Sequence, residues 1–275
     1  MANALGALAM SGVDEKEPVL ISDPPDGVVT LPGGYLSSYG LVRNARVREL
    51  NGEDEEELAR PGVARDFTKF IGMMLQRCVL TIGDEPVTRD MLDTLLLGDR
   101  EMLIQAIRTT TYGDSMVLDI TCVHCQHKFQ VNYQFSVDVP IRQLEGHVVE
   151  LPDGEKITLD ASERVYRVPL RRGHFAEVSL IDGFIQRTVY TPDNAERTAA
   201  EMNTFLLQQC VQTIDGVPIV PSQVRMMSTA DRARILQFLS DAQPGPQWGE
   251  VKQSCPRCDR EFPLVIDVPT MFRGV

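Results

Sequence analysis

The chain has 275 residues, 43% of them hydrophobic and 24% charged, a balance typical of a soluble globular protein long enough for two domains of ordinary size. A formal net charge of −12 opposes non-specific binding to nucleic acid, where Lys and Arg must neutralise phosphates, although a short basic stretch occurs at Arg171-Arg172-Gly173. No apolar run approaches the roughly 18 residues that would span a bilayer, and four of the six cysteines fall in two CxxC pairs, which reads as reduced, metal-binding usage rather than a disulfide framework.

In chain order, the opening MANALGALAMSGVDEKEP lacks the basic n-region of a signal peptide and runs straight into acid. Residues 1–27 read as a flexible arm ending in the turn-rich SDPPDG. The acidic run NGEDEEELA at 51–59 reads as a solvated helix start, because contiguous carboxylates on a helix splay apart rather than converge. A helix is predicted at about 64–82, where Phe67, Phe70, Ile71, Met74, Leu75 and Cys78 form one apolar stripe, with Gly83-Asp84 closing it. Thr88 is a sensible N-cap for a second helix carrying Met91, Leu92, Leu95 and Leu96. Gly98 interrupts, and Asp99 is placed to cap a third helix with Leu103, Ala106 and Ile107.

Beyond Gly113 the period falls from 3.6 to 2. Met116, Leu118 and Ile120 alternate with Val117, Asp119 and Thr121 up to Cys122, and Phe129, Val131, Tyr133 and Phe135 alternate after Cys125, so a β-hairpin is predicted with CVHC at its tip. Residues 146–182 read as short strands and turns, and GEVKQSC into CPRC repeats the hairpin near the C-terminus.

Much of this is said twice. LQRCVLTIGDEP at 75–86 and LQQCVQTIDGVP at 207–218 share seven of twelve positions without a gap, at an offset of 132. At the same offset Asp99-Arg100 matches Asp231-Arg232, and at 133 Cys122-x-x-Cys125 matches Cys255-x-x-Cys258 and Phe129 matches Phe262. Upstream the likeness thins to Val47/Val178 and Gly52/Gly183. Two copies at so long a period argue for a pair of equivalent domains rather than a solenoid. The expected fold is α+β, an internal duplication of a strand, helical-hairpin and zinc-ribbon-like hairpin domain, with copies at 28–145 and 146–275.

One CxxC knuckle supplies half of a tetrahedral site. Two knuckles in equivalent places point to a single structural zinc shared by Cys122, Cys125, Cys255 and Cys258. The alternatives are separate sites, the first completed by His124 or His127, and thiols that bind no metal or pair as disulfides; the second knuckle has no histidine nearby, which favours sharing. Four thiolates would close the coordination sphere and leave no position for an activated water. Cys78 and Cys210 fall on apolar stripes and read as core. The chain carries no P-loop, GxGxxG, GxSxG or HExxH, and its histidines are scattered, His174 reading as a surface residue; the expectation is a protein without catalytic residues.

The succession VRELNGEDEEELA, a helix ending LQRCV, LLLGDREMLIQAIRTTTYGD and the hairpin VLDITCVHCQHKFQVNY resembles the baseplate hub assembly chaperones of T4-type contractile phages, whose relatives occur in other phage-like contractile injection systems. The likeness covers about residues 28–140, and reaches the second half through the internal repeat. It implies a protein that forms or helps to build a tail baseplate hub by binding other tail proteins, with no small-molecule substrate. It places the chain in the host bacterial cytoplasm during assembly, and in the baseplate of the particle if it stays. The competing reading is a zinc-ribbon nucleic-acid-binding protein using Lys128, Arg257 and Arg260, against which the net charge of −12 speaks.

Overall fold

A computed structural model describes residues 26–264, 266, 271 and 272, so the arm expected at 1–27 lies outside the described residues up to Ser22-Asp23-Pro24-Pro25, and Asp26 already opens a strand. The first half begins with β1 (Asp26–Ser37) and β2 (Gly40–Arg48), continues through α1 (Gly52–Leu58), α2 (Pro61–Ala64) and α3 (Phe67–Cys78), and returns to the sheet as β3 (Val79–Ile82) and β4 (Glu85–Pro86). These four strands form an antiparallel sheet in the order β1-β2-β3-β4. Next come α4 (Arg89–Thr94), α5 (Leu97–Tyr112), a two-stranded ribbon of β5 (Ser115–Thr121) and β6 (Lys128–Gln134), then α6 (Phe135–Asp138) and β7 (Ile141–Arg142).

The second half opens with a hairpin of β8 (Val148–Glu150) and β9 (Lys156–Thr158). It then follows a like succession, with a 3-10 turn at Pro192–Asn194 where the first half has α2: β10 (Val165–Pro169), β11 (Phe175–Ser179), α7 (Gly183–Val189), α8 (Ala199–Cys210), β12 (Val211–Ile214), β13 (Val217–Pro218), α9 (Pro221–Met226) and α10 (Thr229–Asp241). Its sheet order is β10-β11-β12-β13. Then β14 (Gly245–Pro246) pairs with β7, and β15 (Lys252–Ser254) pairs with β16 (Glu261–Pro263). The fold is α+β with antiparallel strands, and the likeness of the halves extends to an irregularity. Arg46 faces Thr81 but Val47 faces Val79, which bulges Leu80; Glu177 faces Thr213 but Val178 faces Val211, which bulges Gln212.

The repeated phrase is therefore more than a helix end. The helix expected to run to residue 82 stops at Cys78, because Val79 turns extended at ψ 124° and Val79, Thr81 and Ile82 suit a strand better than a helix. The turn that follows is a hairpin turn. Gly83 takes φ 62° in the first half, while Asp215 and Gly216 take φ 51° and 76° in the second, so both Gly-Asp and Asp-Gly serve at this position.

Thr88 caps α4 as expected, accepting the Met91 amide. Asp99 does not cap a helix. It lies inside the first turn of α5, fully buried, and its Oδ1 accepts the backbone amides of Gly33 and Gly34 at 2.7 and 3.3 Å. Burial raises its pKa to about 6 despite those two amides. The acidic run also departs from expectation. Glu53, Glu55 and Glu56 are exposed, but Asp54 is fully buried, bonded to Arg48 and to Arg77, and its side chain accepts the Asn51 amide in a capping box.

Three apolar clusters result. One fills the first half around Leu31, Val47, Ile71, Leu75 and Cys78. A second fills the second half around Val168, Val178, Leu207, Cys210 and Phe238 and takes in Leu96 and Leu144 of the first. The third lies between the ribbons and draws on both: Ile120, Tyr133 and Phe135 from one, Phe262, Leu264 and Ile266 from the other. The halves also meet away from the ribbons. Leu97 N donates to Ile181 O at 2.9 Å and Gly183 N to Leu95 O at 3.0 Å, and Gly98 lies directly against the backbone of Pro244 and Gly245.

Candidate metal centre

The ribbon tips are built alike. Strands β5 and β6 close at the Thr121–Lys128 pair and β15 and β16 at Ser254–Glu261, leaving six-residue loops that each begin with the first cysteine of a pair. Cys122 N donates to His127 O and Gln126 N to Cys122 O in one loop; Cys255 N donates to Arg260 O and Asp259 N to Cys255 O in the other. To close so tight a loop, the residue after the second cysteine takes the left-handed conformation, φ 58° at Gln126 and 53° at Asp259. Each loop thus turns both of its sulfurs to the same side.

The two tips face each other. Cys122 Sγ lies 3.8 Å from Cys258 Sγ and Cys125 Sγ 3.6 Å from Cys255 Sγ, and all four sulfurs fall within 4.8 Å of one another. A tetrahedron of sulfurs about 2.3 Å from a zinc ion has edges of about 3.8 Å, so the spacing suits one metal at the centre. The four are free thiols, Cys122 and Cys255 fully buried and Cys125 and Cys258 partly so. The Phe129 and Phe262 rings pack edge to face beside them at 6.4 Å.

The electrostatics are those of a cluster short of positive charge. Burial opposes ionisation of Cys122, yet the amides of Cys125 and His124 overcome it and bring the thiol down to about 6. For Cys258 the Arg260 amide favours the thiolate, but burial and three sulfur neighbours push the pKa up to about 12. One thiolate forms easily and suppresses the next; a divalent cation would relieve that conflict.

His124 and His127 stand outside the cluster. His124 Nε2 lies 3.4 Å from Glu261 O, and the His127 ring stacks on Phe129 with centroids 6.0 Å apart. Cys78 and Cys210 are buried in the separate cores of their halves, where burial raises both thiols to about 12. His174 is exposed and lies 2.6 Å from Asp215, and Arg171 of the basic stretch pairs with Asp231 at 3.2 Å. Sequence reasoning missed the Arg48–Asp54–Arg77 triplet and the Asp99 contact; the Asn51-x-x-Asp54 spacing of a capping box was the one local signal for the former.

Among the described residues no helix is long and apolar enough to cross a membrane. Comparison with known proteins finds no matching curated protein and no matching solved structure. A family described as T4 bacteriophage base plate protein matches residues 42–267, a span that takes in the second sheet, the first from β2 onward, the helices of both halves and all four clustered cysteines, and the chain belongs to that family.

Proposed function

We propose that this chain is a non-enzymatic protein of a contractile tail baseplate, a hub component or hub assembly chaperone that works by binding other baseplate proteins, with one structural zinc held by Cys122, Cys125, Cys255 and Cys258. The observation that carries the metal reading is the convergence of four sulfurs, two from each half, within 4.8 Å of one another, with two distances across the halves of 3.6 and 3.8 Å that match the edge of a zinc tetrathiolate. When bound, zinc supplies charge compensation and a cross-link, and a sphere filled by four thiolates supplies no reactive position. The residues of this chain do the rest: the loop amides favour the thiolates, and the two ribbon faces around Tyr133 and Phe262 shut out water. In this reading the halves are two domains, 28–145 and 146–275, riveted at their ribbon tips.

Metal analysis of the purified chain is expected to give one zinc per chain, and Cys255→Ser to lose it. Zinc kept at one per chain in that variant would overturn the shared site. Quantitative mass spectrometry of mature particles beside the producing lysate divides the two roles. A fixed small copy number in the particle marks a hub component, and abundance confined to the lysate marks a chaperone. Absence of any co-purifying tail protein from both fractions would overturn the baseplate role itself.

A further inference from the structure

The two halves are not joined as a closed pair at their helical ends. The start of α7 in the second half plugs the α3–α4 side of the first: Gln186 Oε1 accepts Arg100 Nε at 2.9 Å, Arg187 pairs with Asp93 at 2.7 Å, and Arg100 Nη1 donates to Leu92 O at 2.7 Å. Gly183 lies so close that a Cβ there would meet Leu92 O at 2.9 Å. With the plug in place the remaining cleft, which includes Gly72, Met73, Gln76 and Arg100, has a volume of about 190 Å³.

The second half rebuilds the same socket at an offset of 132 and leaves it open. Thr204, Phe205, Gln208 and Arg232 line a cleft of about 500 Å³ between α8 and α9, and among the described residues none takes the part of Gln186 and Arg187. Arg232 Nη1 donates to Val224 O at 3.3 Å, the counterpart of Arg100 on Leu92. In the first half the counterpart of the plug is also free. α1 begins at Gly52, where Gly183 stands in α7, and a Cβ on Gly52 would meet nothing within 4 Å.

The charges are exchanged in a way that keeps plug and socket matched. Asp93 in the filled socket becomes Arg225 in the open one, and Arg187 on the plug becomes Glu56 on α1. Gln186, which meets Arg100, becomes Glu55, the residue that would meet Arg232. Glu55, Glu56 and Arg225 are all exposed. We propose that a second copy of this chain docks head to tail, its α1 start entering the α8–α9 socket, so that copies add in one direction in the manner of the internal joint. Such heterologous contact, repeated, gives a ring or a filament according to its rotation. One detail of the internal joint does not carry over. Ala230 stands where Gly98 does, and a Cβ at Gly98 would lie 1.6 Å from Pro244 O, so the joint between chains rests on α1 against α8 and α9 without that backbone contact.

The inference is independent of the zinc site, and sedimentation of the metal-loaded full chain over a concentration series tests it. The wild type is expected to associate with rising concentration, and Arg225→Glu and Glu56→Arg each to weaken association about tenfold or more by opposing like charges. An equimolar mixture of the two variants is expected to restore it, since each joint again pairs opposite charges. Circular dichroism of the variants should match the wild type because both side chains are exposed. A wild type that remains monomeric up to about 1 mM, the weak limit of specific association, would overturn the proposal. So would association that neither variant weakens, or a mixture that stays dissociated. A monomeric wild type that captures a different baseplate protein through Arg225 would assign the socket to that protein instead.

Discussion

Asp54 shows how one residue can be hidden in a run of its own kind. Five acids in succession carry no periodic information, yet the capping geometry at Asn51 turns the second of them inward between Arg48 and Arg77. Burial alone would raise its pKa; the hydrogen bonds from Arg48 and Arg77 outweigh that and bring it down to about 2. A carboxylate with a depressed pKa contributes stability that is complete above the ordinary carboxylate range near 4 and is lost as pH falls toward 2. Asp54→Asn is therefore expected to cost about 2–3 kcal/mol in urea denaturation at pH 7, since it leaves two guanidinium groups facing a neutral amide. The gap to wild type should close as pH drops from about 4 to 2.5. A gap that stayed constant over that range would show that the loss is one of packing and not of charge.

The elements divide by how local their signals are. The ribbons were legible because alternation up to Cys122 and from Phe129 is a property of neighbouring residues, and the C-x-x-C spacing by itself puts two sulfurs in one loop. The stop at Cys78 was not, because Val79–Ile82 continues an apolar pattern that either a helix or a strand can use; pairing with β2 decides it, and that partner lies more than 30 residues away. Gly98 was misread for the same reason. Taken locally it is a helix interruption, but in the fold it is inside α5, where Pro244 and Gly245 at the start of β14 lie against its backbone. Its substitution separates the two readings. Gly→Ala in a helix normally stabilises by about 1 kcal/mol, but here the new Cβ would lie 1.6 Å from Pro244 O, a backbone atom with no rotamer to change. Overpacking of that kind costs about 3 kcal/mol or more, so Gly98→Ala should lose about 2 kcal/mol net in thermal or urea denaturation. Stabilisation by Gly98→Ala would refute the close junction of α5 with β14.

At the scale of the whole molecule, each sheet has a core of its own, the second also taking in Leu96 and Leu144 of the first half, while the third cluster lies where the ribbons meet. That arrangement sets what the proposed zinc can do. The thiol pairs come from sequence positions 130 and 136 residues apart, so a metal there closes a long loop and holds the ribbon faces in contact, while the buried residues of the two sheet cores are distinct from those of the ribbon cluster and, among the described residues, only Phe272 packs against both it and the first core. Chelation of the metal under reducing conditions is therefore expected to act regionally. In hydrogen exchange, the amides of Ile120, Phe129 and Phe262 should lose protection first, because their pairing is confined to two-stranded ribbons, which are marginal alone. Amides of Ile71 and Leu75 in α3 and of Leu207 in α8 should keep theirs, since both helices lie on sheets completed within one half. The Leu97–Ile181 and Gly183–Leu95 hydrogen bonds, with the Arg187–Asp93 pair, would still hold the helical units together. Loss of protection at Leu75 and Leu207 in step with Ile120 would mean that the metal controls one cooperative unit, and that the joint between the halves cannot stand without its rivet.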